Sequence, residues 1–150
     1  MRLTAATQDD HPAILTVWEA SVRATHHFLT EADIRFFKPL IRDQYLDAVD
    51  LYCLKDGQGA IHGFLGVTGK GVTGQNIEML FLAPQSRGKG LGKRLVRFAL
   101  DQLGATRVDV NEQNPDALAF YRHMGFRVTG RSELDGTGKP YPLLHMQLGS

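Results

Sequence analysis

The chain has 150 residues, of which 43% are hydrophobic and 22% are charged. This length and composition predict one globular domain over residues 1–150, and they exclude a disordered chain. The formal net charge of +1 is too small for a protein that mainly grips nucleic acid or an anionic membrane, so neither is expected as a partner.

The use of cysteine and the apolar runs bear on location. The single cysteine, Cys53, excludes an internal disulfide and favours a reducing compartment. No apolar run approaches the ~20 residues that span a bilayer, and the first residues lack the apolar stretch of a signal peptide. We therefore expect a cytoplasmic protein. No spacing among the six histidines and Cys53 is typical of a metal site, so no metal is expected.

Apolar periodicity and turn residues divide the chain into strands and helices. The first half of the chain is predicted to contain a strand over 2–6, a helix capped by Asp9 or Asp10, a helix from about Thr30 to the Tyr45 region, and strands over 50–55, 61–68 and 75–82. The second half is predicted to contain a helix after Gly88–Gly92, a strand over 106–110, a helix over 114–124, a strand that begins at 125–129, and a strand over 141–148. Pro39 should kink or split the second helix. Gly57–Gly59 predicts a hairpin, and Gly69–Gly74 a flexible connection.

This order, βαα-βββ-αβ-αββ, predicts an α+β (α/β) fold. An antiparallel meander followed by a helical crossover implies a mixed sheet with helices on both faces. The crossover from strand 75–82 to strand 106–110 should be parallel and right-handed.

The segment Arg87–Lys93 leads from a strand into a helix with a glycine at every second position. Its glycines are Gly88, Gly90 and Gly92, its basic residues are Arg87, Lys89 and Lys93, and Leu91 completes it. Glycine lets the backbone approach a ligand closely, and the open N–H groups of a first helical turn attract anions. The pattern therefore predicts a pyrophosphate site.

Two familiar nucleotide-binding patterns do not fit this segment. A dinucleotide-binding G-x-G-x-x-G turn needs a third glycine where the chain has Lys93, and too few residues follow to complete a doubly wound sheet. No Gly-Lys-Ser/Thr P-loop sequence is present. A glycine-rich turn that only reverses the chain stays open as the plain structural alternative.

A short helix with clear ends follows at 114–124. Asn114 suits the N-cap, Pro115 the first helical position, and Gly125 a left-handed C-cap. Asn114 and Tyr121 are two turns apart along one side of the helix, roughly 10 Å at 1.5 Å rise per residue. Taken alone, the helix needs no more than a capping asparagine and a core tyrosine.

Together, the two segments resemble a known family. Gln85-x-x-Gly88-x-Gly90 and Asn114…Phe120-Tyr121…Gly125-Phe126 resemble the two signature motifs of the GNAT superfamily of N-acetyltransferases. The predicted order of elements is similar to that fold along essentially the whole chain. Residues 24–29, 111–114 and 130–144 resemble its small bacterial YjaB-like branch.

The resemblance implies transfer of an acetyl group from acetyl-CoA, as cosubstrate, to a primary amine of an unidentified acceptor, in a ternary complex. The acceptor is expected to be small, either a small molecule or a peptide amine. The implied cofactor contacts are the backbone of Leu80, Phe81 and Leu82 on the pantetheine arm, Arg87–Lys93 on the pyrophosphate, Asn114 on the pantetheine, and Tyr121 beside the sulfur. The sheet should splay between strands 75–82 and 106–110, and a homodimer is compatible with the family.

The resemblance also implies catalytic roles. Tyr121 is the expected general acid, which protonates the leaving thiolate. A backbone N–H in Leu80–Leu82 is expected to donate a hydrogen bond to the oxyanion. Glu78 is the first candidate for the base, with Asp109 and Glu112 as competitors. An ordinary solvated or ion-paired glutamate is an equally good interpretation of Glu78.

Candidate acceptor contacts come from two other segments. His26 and His27 lie in the loop between the first two helices, where this fold builds its acceptor pocket, and Tyr141 and His145 lie on the last strand. Exposed or capping histidines and plain strand residues are the alternatives. A non-catalytic acetyl-CoA sensor and a nucleotide-binding regulator stay open as other functions.

Overall fold

The computed structural model describes residues 1–68 and 75–149, so the predicted flexible segment Gly69–Gly74 lies outside the described residues. Within these ranges one sheet of seven strands is formed, in the order β1-β2-β3-β4-β5-β7-β6. The strands are β1 (Arg2–Ala5), β2 (Asp50–Lys55), β3 (Ile61–Val67), β4 (Gln75–Leu82), β5 (Ala105–Asn111), β6 (Phe126–Ser132) and β7 (Leu143–Leu148). The helices are α1 (His11–Thr25), α2 (Glu31–Leu40), α3 (Leu46–Ala48), α4 (Leu91–Leu103) and α5 (Pro115–His123).

The sheet is mixed, as predicted. Strands β4 and β5 pair in parallel and are joined through α4, while the other neighbouring strands pair antiparallel. The sequence did not indicate that β7, the last strand, lies between β5 and β6. No helix in the described ranges is both long and apolar enough to cross a membrane.

Two cores lie on opposite faces of the sheet. Neighbouring residues of one strand point to opposite faces, and Phe64 and Leu65 of β3 belong to different cores. Phe64 packs in the core that includes Trp18 of α1 and Ile34 of α2. Leu65 packs in the core that includes residues of α4 and α5. The expected placement of helices on both faces is therefore confirmed.

The break predicted at Pro39 falls slightly later in the chain. Helix α2 continues to Leu40 and passes into a wider, π-helical turn over Ile41–Tyr45, which leads directly into α3. Proline has no N–H to donate and crowds the preceding turn, so a widened turn next to it restores the hydrogen bonding.

The predicted start of the last strand is wrong by two residues. Strand β7 begins at Leu143, and Tyr141 lies in the loop before it. Pro140 and Pro142 flank Tyr141, and proline cannot donate a hydrogen bond to a strand ladder. Tyr141 is therefore placed by the loop and not by the sheet.

Candidate active site

The sheet opens between its two parallel strands. Pairing of β4 with β5 is confined to Gln75–Ile77 on β4 and ends at Ile77 opposite Val108. Beyond that point, Leu80–Leu82 pair with β3, and toward β5 they have no strand partner in the part of the chain that the structure describes. The splay expected from the resemblance is confirmed, and it leaves a strip of backbone N–H and C=O groups open.

Glu78 stands where the two strands separate. The register of β3 and β4 passes from Gly66 opposite Met79 to Val67 opposite Ile77, so Glu78 is the extra residue of a bulge. A bulge redirects the side chain it carries. The exposed carboxylate accepts hydrogen bonds from Asn76 Nδ2 at 3.0 Å and Thr68 Oγ1 at 3.3 Å.

Two adjoining cavities occupy the opening. The larger, here the large cavity, measures about 450 Å³, and the small cavity measures about 210 Å³. Both are lined by His26, Leu80, Phe81, Asn114, Ala117 and Tyr121. The small cavity extends to Arg87 and Gly92, and the large cavity extends to Glu78 and Tyr141. One ligand can therefore reach the shared wall from the glycine-rich turn and another from the opposite side.

The glycine-rich turn has the backbone that its sequence predicts. Gly88 and Gly90 each have φ of +77°, a left-handed conformation that favours glycine, and α4 begins at Leu91. The first N–H groups of α4 have no partner within the helix, and the helix dipole makes this end positive. Arg87, Lys89 and Lys93 are exposed around it.

Asn114 caps a helix and also lies beside both cavities. Its Oδ1 accepts the backbone N–H of Ala117 at 3.2 Å, so it caps α5 as predicted. This cap leaves the amide NH₂ group unused, and Asn114 lines both cavities. The same side chain can therefore begin the helix and donate to a ligand.

Tyr121 lies in the wall that the cavities share. It is 6% exposed, and its ring packs edge-on against Phe120 and Phe126 at centroid distances of 5.1 and 5.6 Å. Burial raises the pKa of the phenol, so the hydroxyl keeps its proton at neutral pH. No side chain in the described ranges hydrogen-bonds this hydroxyl. The group is chemically suited to give a proton, and it is directed by packing alone.

The two adjacent histidines differ in position. His26 lines both cavities, whereas His27 is exposed and lines neither. Burial lowers the pKa of His26 to about 4, with a smaller contribution from the charge of His27, so its ring is neutral at pH 7. Thr25 Oγ1 donates its hydrogen to the carbonyl of Ser21 at 2.8 Å. His26 Nδ1 lies 2.8 Å from Thr25 Oγ1, so Nδ1 is the donor in that hydrogen bond. His26 Nε2 is then a hydrogen-bond acceptor.

Asp33 holds Tyr141, a residue that lines the large cavity. The Tyr141 hydroxyl donates to Asp33 Oδ2, and Lys139 Nζ lies 3.2 Å from Asp33 Oδ1. The Tyr141 hydrogen bond, followed by the Thr30 N–H and Lys139, lowers the pKa of Asp33 to about 2. The same hydrogen bond raises the pKa of Tyr141 to about 12. The sequence did not indicate a place for Asp33 in the site, although Thr30-x-x-Asp33 is a helix-capping pattern.

Comparison with known proteins identifies the family. Residues 47–128 match the acetyltransferase (GNAT) domain, and the chain is 38% identical over 146 residues to the peptidyl-lysine N-acetyltransferase YjaB of Salmonella typhimurium, with 97% of each chain covered. The chain belongs to the GNAT acetyltransferase family. The predicted enzyme class, an N-acetyltransferase, is thereby confirmed, as is the resemblance to YjaB-like proteins.

Solved GNAT structures show the same fold. The solution structure of apo YjaB from Escherichia coli superposes with a TM-score of 0.86 at 35% identity, over 99% of this chain and 98% of that one. The crystal structure of PaiA N-acetyltransferase from Thermoplasma acidophilum in complex with coenzyme A superposes with a TM-score of 0.77 at 18% identity, over 100% of both chains. The second comparison concerns the fold alone.

Proposed function

We propose that this GNAT protein transfers the acetyl group of acetyl-CoA to the ε-amino group of a lysine side chain in a peptide or protein. The observation that carries the proposal is the splayed cleft, which opens at Arg87–Lys93 on one side and into the large cavity on the other, with Tyr121 between. The name of the YjaB relative, a peptidyl-lysine N-acetyltransferase, supports lysine as the acceptor.

The residues of the cleft suit acetyl-CoA. The left-handed backbone at Gly88 and Gly90, with the open N–H groups that follow, would bind its pyrophosphate. The free edge of Leu80–Leu82 would pair with the amides of its pantetheine arm, and the Asn114 amide would donate to the same arm. Bound there, acetyl-CoA supplies an activated acetyl carbon as a thioester.

Positioning supplies much of the catalysis in this proposal. The small and large cavities meet at one wall, so the thioester and the amine are held against each other. Well-oriented attack of this kind can contribute roughly 7–11 kcal/mol to lowering a barrier. Backbone N–H groups on the free edge of Leu80–Leu82 would donate to the carbonyl oxygen as negative charge develops on it, with no reorganisation of the strand.

Two side chains move protons. Glu78, at the strand separation, accepts a proton from the incoming ammonium, directly or through water, so that a neutral amine can attack. Tyr121, which keeps its proton at neutral pH, donates it to the sulfur as the thiolate leaves. The neutral His26 ring offers an acceptor to the N–H groups of the amine.

The large cavity suits a long aliphatic amine. Its walls toward α1 and α2 are apolar and include Trp18, Val22, Leu29 and Phe37, which would pack against the methylene groups of lysine. Glu78 and Asp109 line the same cavity and would attract the ammonium group. A cavity with apolar walls on one side and carboxylates in its lining is complementary to a lysine side chain.

The test combines the purified protein, acetyl-CoA and a panel of lysine-containing peptides. We expect thiol release together with an acetyl adduct on lysine, located by mass spectrometry, and no adduct on matched peptides in which arginine replaces lysine. Free lysine and polyamines form a second arm that distinguishes a peptide from a small acceptor. Binding of acetyl-CoA without thiol release in any arm would favour a sensor and overturn the proposal.

A further inference from the structure

Asp33, in the first turn of α2, is a buried acidic side chain that the proposed mechanism does not use. It is 7% exposed, and acidic side chains are almost never buried unless they are paired. Its Oδ2 accepts hydrogen bonds from the Thr30 N–H at 3.0 Å and from the Tyr141 hydroxyl. Its Oδ1 lies 3.2 Å from Lys139 Nζ. The first partner is local, whereas the other two are distant in the chain and belong to one loop.

Capping of α2 accounts for only part of this arrangement. The Thr30 hydroxyl accepts the N–H of Asp33 at 3.1 Å, and together with the bond from the Thr30 N–H it completes a capping box. An exposed carboxylate would cap the helix equally well, because a capping box needs no contact from elsewhere in the chain. The contacts with Tyr141 and Lys139 therefore call for a second role, in the loop that carries these two residues.

This loop joins β6 to β7 over residues 133–142, here the wall loop. The members of the wall loop that line the large cavity are Asp135, Gly136, Thr137 and Tyr141. Within the loop, Asp135 Oδ1 accepts the N–H groups of Thr137 and Lys139 at 2.9 and 3.0 Å. These bonds hold the wall loop to itself and leave its distance from α2 open. The contacts with Asp33 fix that distance.

Lys139 joins the wall loop to α2 a second time. Its Nζ lies 4.4 Å from the ring centroid of Phe36, which is the geometry of a cation–π contact. The Lys139 side chain is 28% exposed and that of Asp33 is 9% exposed, so solvent ions screen this pair only in part. A hydrogen bond, an ion pair and a cation–π contact thus connect α2 with the wall loop.

The position of Tyr141 also bears on a row of rings beside the large cavity. Ring centroids are 5.6 Å apart for Tyr141 and Phe28, and 5.3 Å apart for Phe28 and His26. The His26 ring in turn lies 6.0 Å from that of Phe81 on β4. Tyr141, His26 and Phe81 line the large cavity. The row therefore extends from the wall loop to the strand at which the cofactor is proposed to bind.

We propose that Asp33 is a positioning residue, which fixes the wall loop through Tyr141 and Lys139 and thereby makes the enzyme select lysine by the length of its side chain. A substrate held against a fixed wall reaches the thioester only if its chain has the right number of methylene groups. A misplacement of about 1 Å can cost roughly 100-fold in rate. A loop that could move would let shorter or longer amines adjust. This inference rests on the proposed lysine acetyltransferase activity.

The test measures kcat/KM for three peptides that differ only in the acceptor: lysine, ornithine with one methylene group fewer, and homolysine with one more. We expect the wild type to prefer lysine over both by roughly tenfold or more. Tyr141→Phe removes the hydroxyl that Asp33 binds and keeps the ring. It should reduce the preference severalfold, mainly through a higher KM for the lysine peptide, with CoA affinity unchanged.

Tyr52→Phe is the matched control. Tyr52 is a half-buried tyrosine on β2 whose ring packs edge-on against Phe98, and it lines neither the large nor the small cavity. The variant loses the same hydroxyl group from a tyrosine outside the site. It should keep the wild-type preference for lysine.

The ratio of kcat/KM for two peptides does not depend on how much of the sample is folded, so a purely structural role of Asp33 would leave it unchanged. Asp33→Ala should reduce the preference at least as far as Tyr141→Phe, because it frees both contacts of the wall loop. If Asp33→Ala does not fold, Lys139→Met frees the loop at its other contact. A wild-type preference in these variants, or equal use of the three peptides by the wild type, would overturn the inference. Failure of the wild type to acetylate any of the peptides would instead overturn the proposed function.

Discussion

The Nδ1 atom of His62, on β3, lies 2.7 Å from the hydroxyl oxygen of Ser86, in the turn that precedes the glycine-rich segment. The other ring nitrogen, Nε2, lies 2.8 Å from Asp56 Oδ2 in the β2–β3 hairpin. The His62 carbonyl also accepts the N–H of Ala83 at 2.9 Å. Through its side chain and backbone together, His62 fixes the start of the glycine-rich turn to the sheet.

Ser86→Ala tests this attachment. Ser86 is 1% exposed, so loss of its hydroxyl leaves His62 Nδ1 without its partner in a mostly closed site, while Nε2 keeps Asp56. We expect the free energy of unfolding in urea to fall by about 1–2 kcal/mol. CoA affinity, measured by titration calorimetry, should fall severalfold because the turn loses its anchor. Gln102→Ala, on the exposed side of α4, is the control, and equal behaviour of the two variants would contradict the anchoring role.

Gly90→Ala tests the left-handed backbone at the proposed phosphate site. A Cβ at Gly90 would meet no atom within 4 Å, so the substitution introduces strain without a clash. For φ of +77° that strain is about 1–2 kcal/mol, and the turn can relieve it only by changing the direction of its N–H groups. We expect a stability loss of this size and CoA binding weakened about tenfold.

Gly57→Ala is the matched control for Gly90→Ala. A Cβ at Gly57 would also meet no atom within 4 Å, but the backbone at Gly57 is not left-handed. Its substitution should therefore leave both stability and CoA affinity near the wild-type values. If Gly90→Ala behaved in the same way in thermal denaturation and calorimetry, the left-handed turn would have no part in binding.

Tyr121→Phe separates chemistry from packing. The edge-on contacts with Phe120 and Phe126 involve only the ring, so the variant should keep its core and its thermal midpoint. Loss of the proton donor should lower kcat at least tenfold while CoA affinity changes little. The readouts are steady-state kinetics with a lysine peptide and calorimetry with CoA. A wild-type kcat in this variant would remove Tyr121 from the proposed mechanism.

Local sequence signals predicted the backbone of the glycine-rich turn and the start of α5 well. Asn114 and Pro115 mark the start of α5, and the alternating glycines mark the turn before α4, because capping and left-handed backbone depend on a few consecutive residues. The positions of Tyr121 and Asn114 on one helix face follow from helical geometry. These features need no knowledge of distant parts of the chain.

The candidate acceptor residues have partners that are distant in the chain, and the sequence did not indicate these contacts. Tyr141 meets Asp33 across a separation of 108 residues, and His145 meets Asp109 only because β7 lies between β5 and β6. The bulge that makes Glu78 the extra residue comes from the register of two strands. The resemblance to the family made Glu78, Tyr141 and His145 candidates, but it could not give their partners.

The buried ring of His26 should make the protein sensitive to mild acid. In the unfolded chain this histidine takes up a proton near its ordinary pKa of 6.5, whereas in the folded protein it does so only near pH 4, because burial disfavours the charged ring. As the pH falls from about 6.5 to 4, the unfolded state therefore binds more protons, and folding becomes less favourable by roughly 2 kcal/mol. Urea denaturation at pH 7 and pH 5 measures the change.

His26→Gln should remove this part of the pH dependence, because glutamine does not titrate. The matched control is His27→Gln: its histidine is adjacent and exposed, so unfolding changes its surroundings little, and the variant should retain the acid sensitivity of the wild type. If the three proteins lost stability in parallel between pH 7 and pH 5, His26 would take up its proton equally in both states. Its ring would then be charged within the large cavity at acidic pH, and it could not accept a hydrogen bond from the acceptor amine there.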